Sequence, residues 1–272
     1  MWSSGAVFAK IGLKYASIWS FLFLRSTVAI TLLLTVIAIL FLKGYLKKQT
    51  FQNSDMTKVI SSGILLQIGY LTAYFYAIET EISLSLIILI LGLQPILTML
   101  FNIANITKFE WILVLGSFIG LLISVSGFYS IGYLNLLGVF FSILALISIT
   151  WGTIIQSKIK SSVLYTLSIQ VAISWVIFLF ILIFKDFQVT WDPEFIISLL
   201  WMGVVVSIGA LMLLMFMLKN NSAQKVSMLF FLLPLMTILL DVLIFDAHLN
   251  LISIVGALIV CTCVFFYQNT NK

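Results

Sequence analysis

Charge is scarce in this chain. Asp, Glu, Lys and Arg make up 8% of its 272 residues, against about 25% in an ordinary soluble domain. Hydrophobic residues make up 62%, more than a water-soluble exterior can conceal. One histidine and two cysteines are too few for a Cys/His metal cluster. Cys261 and Cys263 sit inside an apolar run and read as small lipid-facing or packing residues. The lone His248 falls in a loop, where a histidine is ordinarily just solvated. There is no Gly-x-x-x-x-Gly-Lys-Ser/Thr phosphate loop and no soluble segment to hold one, which argues against direct ATP-driven work. His-Glu-x-x-His, Cys-x-x-Cys and serine-elbow patterns are missing too. With so few titratable groups, no enzymatic activity, cofactor or metal is expected.

What the chain does have is long apolar runs. Windows of roughly 20 residues give ten predicted helices, at 2–15, 18–42, 57–78, 82–104, 109–129, 134–156, 163–184, 194–218, 223–245 and 249–267. A β-barrel is disfavoured, because barrel strands alternate apolar and polar residues over only about 10 positions. The expected class is therefore an all-α integral membrane protein of ten transmembrane helices. The first run lacks a basic leader and a small-residue cleavage site, so it reads as a retained helix rather than a signal peptide. It is also short. Its 14 residues at ~1.5 Å each reach about 21 Å, less than the ~30 Å hydrocarbon core. Either the bilayer thins there or the natural start lies about six to ten residues upstream, and the second is expected. A mass spectrum of natively expressed protein beginning at Met1 would overturn that.

The net charge of +5 is not a nucleic-acid signal, because its placement follows a membrane rule. Loops on one side carry Lys43, Lys47, Lys48, Lys58, Lys108, Lys158, Lys160, Lys219, Lys225 and Lys272, with only Asp55 and Glu110 as acids. The other side carries Glu79, Glu81, Asp186, Asp192, Glu194 and Asp246, with only Lys14 and Lys185 as bases. The positive-inside rule then puts both termini in the cytoplasm, in an inner (cytoplasmic) membrane. An even number of spans agrees with that.

The chain echoes itself. Pro95-Ile96-Leu97-Thr98 in the fourth predicted helix returns as Pro234-Leu235-Met236-Thr237 in the ninth. A glycine follows each proline inside the next helix, Gly116 after the first and Gly256 after the second. Trp2-Ser3-Ser4 is echoed by Trp151-Gly152-Thr153. Two halves of five helices, residues 1–130 and 131–272, must insert with opposite orientation because five is odd. Such inverted repeats place a substrate site near the midplane.

With these residues in view, the chain resembles the drug/metabolite transporter superfamily, in particular its EamA-type members. They have ten helices in two five-helix repeats and a tryptophan-small-small motif in the first helix, matched here by Trp2, Ser3 and Ser4. A lysine later in that helix and an arginine early in the next correspond to Lys10 and Arg25. The family's prolines and glycines match Pro95, Pro234, Gly116 and Gly256. The resemblance runs over essentially the whole chain and implies movement of small organic solutes such as amino acids, nucleosides, drugs or other metabolites. One departure concerns a glutamate that the family commonly carries about a dozen residues after the proline. Here the second half offers Asp246, and the first offers Thr107 with Glu110 displaced.

Lys10, Arg25 and Asp241 are the formal charges well inside predicted helices, where each costs about 2.5–3.5 kcal/mol at the bilayer centre on insertion scales. A partner or a wet cavity is expected for each. The functional reading is an anion-binding or proton-coupling site, with Asp241 the obvious proton carrier. The bland reading is a static ion pair, or snorkelling to the interface. Gln67, Tyr70 and Tyr74 are spaced i, i+3, i+7 and are expected on one face of the third helix, lining a cavity for an organic solute. Gln94, next to the kinking Pro95, and Trp151 with Ser148 on the sixth helix are further substrate candidates, as is Gln170 on the seventh. Otherwise they are packing or polar glue. Gly116 and Gly120 form a Gly-x-x-x-Gly face that serves either packing within the chain or a homodimer.

These features predict a carrier that works by alternating access on a small organic solute, with a central site lined by the first, third, fourth, sixth, eighth and ninth helices. Arg25 and Lys10 favour a carboxylate or phosphate on that solute. The expected partners are the solute and the lipid bilayer. The rival is a non-transporting membrane scaffold or a subunit of a larger complex, in which the buried charges form a fixed network around no wet cavity.

Overall fold

The computed structural model describes residues 2–45, 53–101, 106–128, 135–245 and 250–270. Trp2 and Asp241 are described in their backbone only, and Lys47, Lys48, Asp246, His248 and Lys272 lie outside the described residues. Helices make up nearly all of what is described, in the order α1 (Trp2–Leu13), α2 (Ile18–Leu42), α3 (Asn53–Gly63), α4 (Tyr70–Glu79), α5 (Leu84–Leu91), α6 (Gln94–Leu100), α7 (Lys108–Phe128), α8 (Leu136–Gln156), α9 (Val163–Leu182), α10 (Pro193–Leu200), α11 (Leu211–Asn220), α12 (Ala223–Met228), α13 (Leu232–Phe245) and α14 (Leu251–Gln268). Among the described residues seven helical segments are long and apolar enough to cross a membrane, and two shorter apolar helices, Leu86–Leu100 and Ala223–Leu239, accompany them. Their outer faces carry exposed Phe41, Ile112, Phe180 and Leu258. In water such a surface would be a liability, whereas acyl chains solvate it.

Where the chain caps a helix, local chemistry sets the boundary. Ser17 caps α2 by accepting the Ser20 N–H at 3.4 Å. Gly44, at φ +71, ends α2. Its N–H reaches Phe41 O at 3.0 Å and the Tyr45 N–H reaches Leu40 O at 3.0 Å. That left-handed turn suits glycine because it has no Cβ. Helix α7 opens on a capping box. Glu110 accepts the Thr107 N–H at 2.7 Å, and the Thr107 hydroxyl accepts the Glu110 N–H at 3.2 Å. The displaced family glutamate therefore serves here as a helix cap. The first predicted helix ends two residues early, at Leu13, because Ala16 pairs as an isolated antiparallel bridge with Val189.

Four predicted helices are interrupted. A π-helical segment, Ile64–Gly69, joins α3 to α4, and a second, Trp201–Ala210, joins α10 to α11. Helices α5 and α6 are separated at Gly92 and Leu93, and α12 and α13 by a 3₁₀ turn, Leu229–Phe231. The last two breaks follow from proline. A proline cannot bond the carbonyl four residues back and its ring crowds it, and for Pro95 and Pro234 those carbonyls belong to Leu91 and Phe230, at the breaks. The threonine of each Pro-x-x-Thr then donates to the carbonyl preceding the proline, Thr98 to Gln94 at 2.8 Å and Thr237 to Leu233 at 3.1 Å. The sequence echo is thus a repeated hydrogen bond.

The described residues cluster into two compact units, one of Met1–Phe75 with Gly152–Asn220, the other of Tyr76–Trp151 with Asn221–Lys272. Each draws on both halves of the chain. In the first unit the tryptophan-small-small segments let helices approach a π segment. The Trp201 indole donates to Ser4 at 3.0 Å, and a Cβ on Gly152 would meet Leu66 Cγ at 2.6 Å. Gln170 ties α3, α8 and α9 together, its amide donating to Ser62 Oγ and to Gln156 Oε1 at 2.8 Å each. Gln170→Ala should lower stability by about 1–3 kcal/mol by leaving buried partners unsatisfied. An unchanged thermal midpoint in the purified variant would contradict that role.

In the second unit α7 and α14 cross at their glycines. A Cβ on Gly120 would meet Gly256 O at 3.0 Å, and one on Gly116 would meet Cys263 Sγ at 3.0 Å. The Gly-x-x-x-Gly face is therefore occupied within the chain. Around it pack buried Val114, Leu121, Phe231 and Val260.

Candidate functional site

Arg25 lies two turns into α2 and is 3% exposed. Apolar neighbours give α2 its place: it packs on α9 and on the second π segment, where Gly203 would otherwise strike Val28, its Cβ falling 2.7 Å from Val28 Cγ1. The guanidinium Nε donates to Ser207 Oγ at 2.6 Å, and the Ser207 hydroxyl in turn donates to Met202 O at 2.8 Å. That bond spans five residues, so the wide turn of the π segment both turns Ser207 toward Arg25 and gives its hydroxyl an acceptor. Arg25 Nη1 has no hydrogen-bond partner.

Gln67 sits in the first π segment, is 3% exposed, and its Nε2 also lacks a partner. Both groups line one cavity in the first unit, together with Ser26, Ser174 and Ser207. Leu22, Leu71, Val171 and Phe178 make its apolar walls. About 10 Å³ is open to the centre of a water molecule, which is room for roughly one water. The hydroxyls of Ser26 and Ser174 donate to their own helices, at Phe23 O and Val171 O, both 2.8 Å. Those hydroxyls can only accept at the cavity, while Arg25 and Gln67 each keep an N–H without a partner.

No carboxylate answers them among the described residues of this unit. Asp55 takes Lys58 at 3.3 Å and Ser161 at 3.4 Å. Asp192 caps α10 through the Glu194 N–H at 2.9 Å. Glu194 takes the Tyr15 hydroxyl at 3.0 Å, and that bond raises the Tyr15 pKa from its ordinary 10.0. Asp186 is exposed in the turn after α9. Arg25 is a buried cation without a counter-ion in its own unit.

The other expected site residues are distributed differently. Tyr70 and Tyr74 do not line this cavity but stack on each other, with ring centroids 5.7 Å apart. The π segment is the cause. Its wider turn gives less rotation per residue, so the three-residue step from Gln67 to Tyr70 no longer returns to one face, while the four-residue step to Leu71 does. Lys10 is exposed on α1 and does not line the cavity. Gln94 is buried at the start of α6 in the second unit. Trp151 is 40% exposed and packs on Phe101 with centroids 4.7 Å apart. Gln170 gives its amide N–H groups to the helix ties described above. No group of His, Cys, Asp and Glu able to hold a metal occurs among the described residues. Ser207 was not a sequence candidate. Its signal was the Gly203-x-x-x-Ser207 pair of small residues, which marks a close helix contact.

The sequence model of the EamA-like transporter family matches residues 1–126 and, a second time, residues 136–267. No curated protein matches the chain. A solved structure described only as the crystal structure of a protein is similar over 100% of this chain and 95% of the other, with a TM-score of 0.81 at 14% identity. That likeness concerns the fold.

Proposed function

Because the chain belongs to the EamA-like transporter family, a family of multi-pass membrane transporters, we propose that it carries a small organic solute with an anionic group across the inner membrane by alternating access. In this reading ten helices cross the bilayer as two inverted five-helix repeats, residues 1–130 and 131–272, with both termini in the cytoplasm. The chain is a carrier, not an enzyme. The observation that carries the anionic preference is Arg25, a buried guanidinium in a membrane-spanning helix that borders a cavity and keeps a donor without a partner. A fixed scaffold would gain nothing from an unmatched charge in its hydrocarbon layer, whereas a carrier needs a group that its cargo completes. The present cavity admits about one water, so a solute enters only when the helices around Arg25 part. Asp241 is the natural candidate for proton coupling.

The test is thermal unfolding of the purified protein against a panel of metabolites, followed by uptake into proteoliposomes. A bound solute at 100 times its dissociation constant should stabilise by ~2.7 kcal/mol. Carboxylates or phosphates should give the shift, Arg25→Ala should remove it, and uptake should follow the same order. A folded protein that responds to cations or neutral solutes alone would overturn the anionic reading.

A further inference from the structure

We infer that Arg25, Gln67 and Ser207 enclose a site for a single halide-sized anion, held as the counter-ion of Arg25 while no solute is bound. Three observations converge. Two side chains that line the same cavity, each 3% exposed, keep an N–H donor without a partner, Arg25 Nη1 and Gln67 Nε2. The third residue, Ser207, holds the guanidinium by Nε at 2.6 Å and so fixes the position of its charge beside the cavity. The carboxylates described in this unit are engaged or exposed elsewhere, so the positive charge is not neutralised from within it.

The size of the space selects the occupant. About 10 Å³ is open to a water-sized centre, enough for one small sphere stripped of its water but not for the four oxygens of sulfate or phosphate. Water would satisfy a donor without balancing the charge. A monatomic anion does both, and the apolar walls formed by Leu22, Leu71 and Phe178 weaken dielectric screening, which strengthens its attraction to the guanidinium. Gln67 then offers its amide N–H to the ion. This site goes beyond the transport reading and stands without it, since it needs no organic solute.

The experiment uses purified full-length protein with no solute. Its thermal midpoint is measured in sodium gluconate, then on titration with sodium chloride, bromide, sulfate or acetate at constant ionic strength and pH. Chloride and bromide should raise the midpoint saturably, while sulfate should leave it at the gluconate value. Arg25→Gln should weaken the chloride response roughly tenfold or more, as expected when a charged donor is lost. Radiolabelled chloride binding to the unmutated protein should approach one ion per chain and be displaced by bromide, which keeps the proposal testable if the variant fails to fold. Equal midpoints in chloride and gluconate with no bound label would overturn it, leaving water as the occupant. Stabilisation by acetate but not chloride would also overturn it, leaving the carboxylate of a carried solute as the natural ligand. Uptake of that solute is a separate readout, so either idea can fail alone.

Discussion

Alanine at position 256 should be among the most damaging single changes in the chain. A Cβ there would collide with the Ser124 backbone nitrogen and lie 2.6 Å from Gly120 O. Both are backbone atoms of α7, so no rotamer change relieves the contact and the two helices must part. Overpacking a tight interior costs about 1–3 kcal/mol. The upper end is expected here, because apolar lipid gives separated helices no hydrophobic penalty and close van der Waals packing holds them together. The neighbouring glycines make the prediction a ranking. Gly120→Ala meets Ile259 Cγ2 at 2.9 Å and Gly256 O at 3.0 Å, whereas Gly116→Ala meets only the Cys263 sulfur at 3.0 Å. Thermal midpoints followed by tryptophan fluorescence should fall most for Gly256→Ala, less for Gly120→Ala and least for Gly116→Ala. A reversed order would mean that α7 and α14 do not cross at these residues.

Arg25→Met should act in two directions at once. In halide-free, solute-free buffer the variant is expected to be more stable than the parent, and in proteoliposomes it should not take up solute. The stability gain follows from removing a buried charge whose Nη1 has no partner. The upper bound is about 2.5–3.5 kcal/mol, the insertion penalty for arginine at the bilayer centre. Methionine fills much of the same space, and Ser207 is not orphaned, because its hydroxyl still donates to Met202 O at 2.8 Å. Replacing a poorly matched buried ion by an apolar residue often stabilises for this reason, and unmatched groups kept at functional sites commonly trade stability for activity. The checks are the thermal midpoint and the initial uptake rate. A variant less stable than its parent under those conditions would show that Arg25 is already satisfied and serves the fold.

Gly256 and Arg25 differ in how visible they are beforehand. Arg25 stands out because one charge in a long apolar run is expensive wherever its neighbours lie. Gly256 stands out only as an echo of Gly116, since a glycine in an apolar helix is cheap in many settings. Its meaning comes from the backbone that crosses it.

Hydropathy alone determined the membrane class and the positions of α2, α7, α8, α9 and α14 to within about two residues,, and the Pro-x-x-Thr and tryptophan-small-small echoes marked the internal repeat. Proline chemistry marked the interruptions before α6 and α13. These are one-body properties, since transfer to lipid and proline's missing N–H act on a residue whatever surrounds it. Tertiary structure decided the rest. It placed Gln67 on the Arg25 cavity and turned Tyr70 and Tyr74 onto each other, because the α-helical spacing passes through a π segment that the pattern of apolar residues does not announce. It gave Gln170 to the fold and used the Gly-x-x-x-Gly face inside the chain. It also supplied Ser207, which meets Arg25 across 182 positions of sequence. Contacts of that kind depend on which helices pack together and in what register, and a residue's own hydrophobicity carries neither.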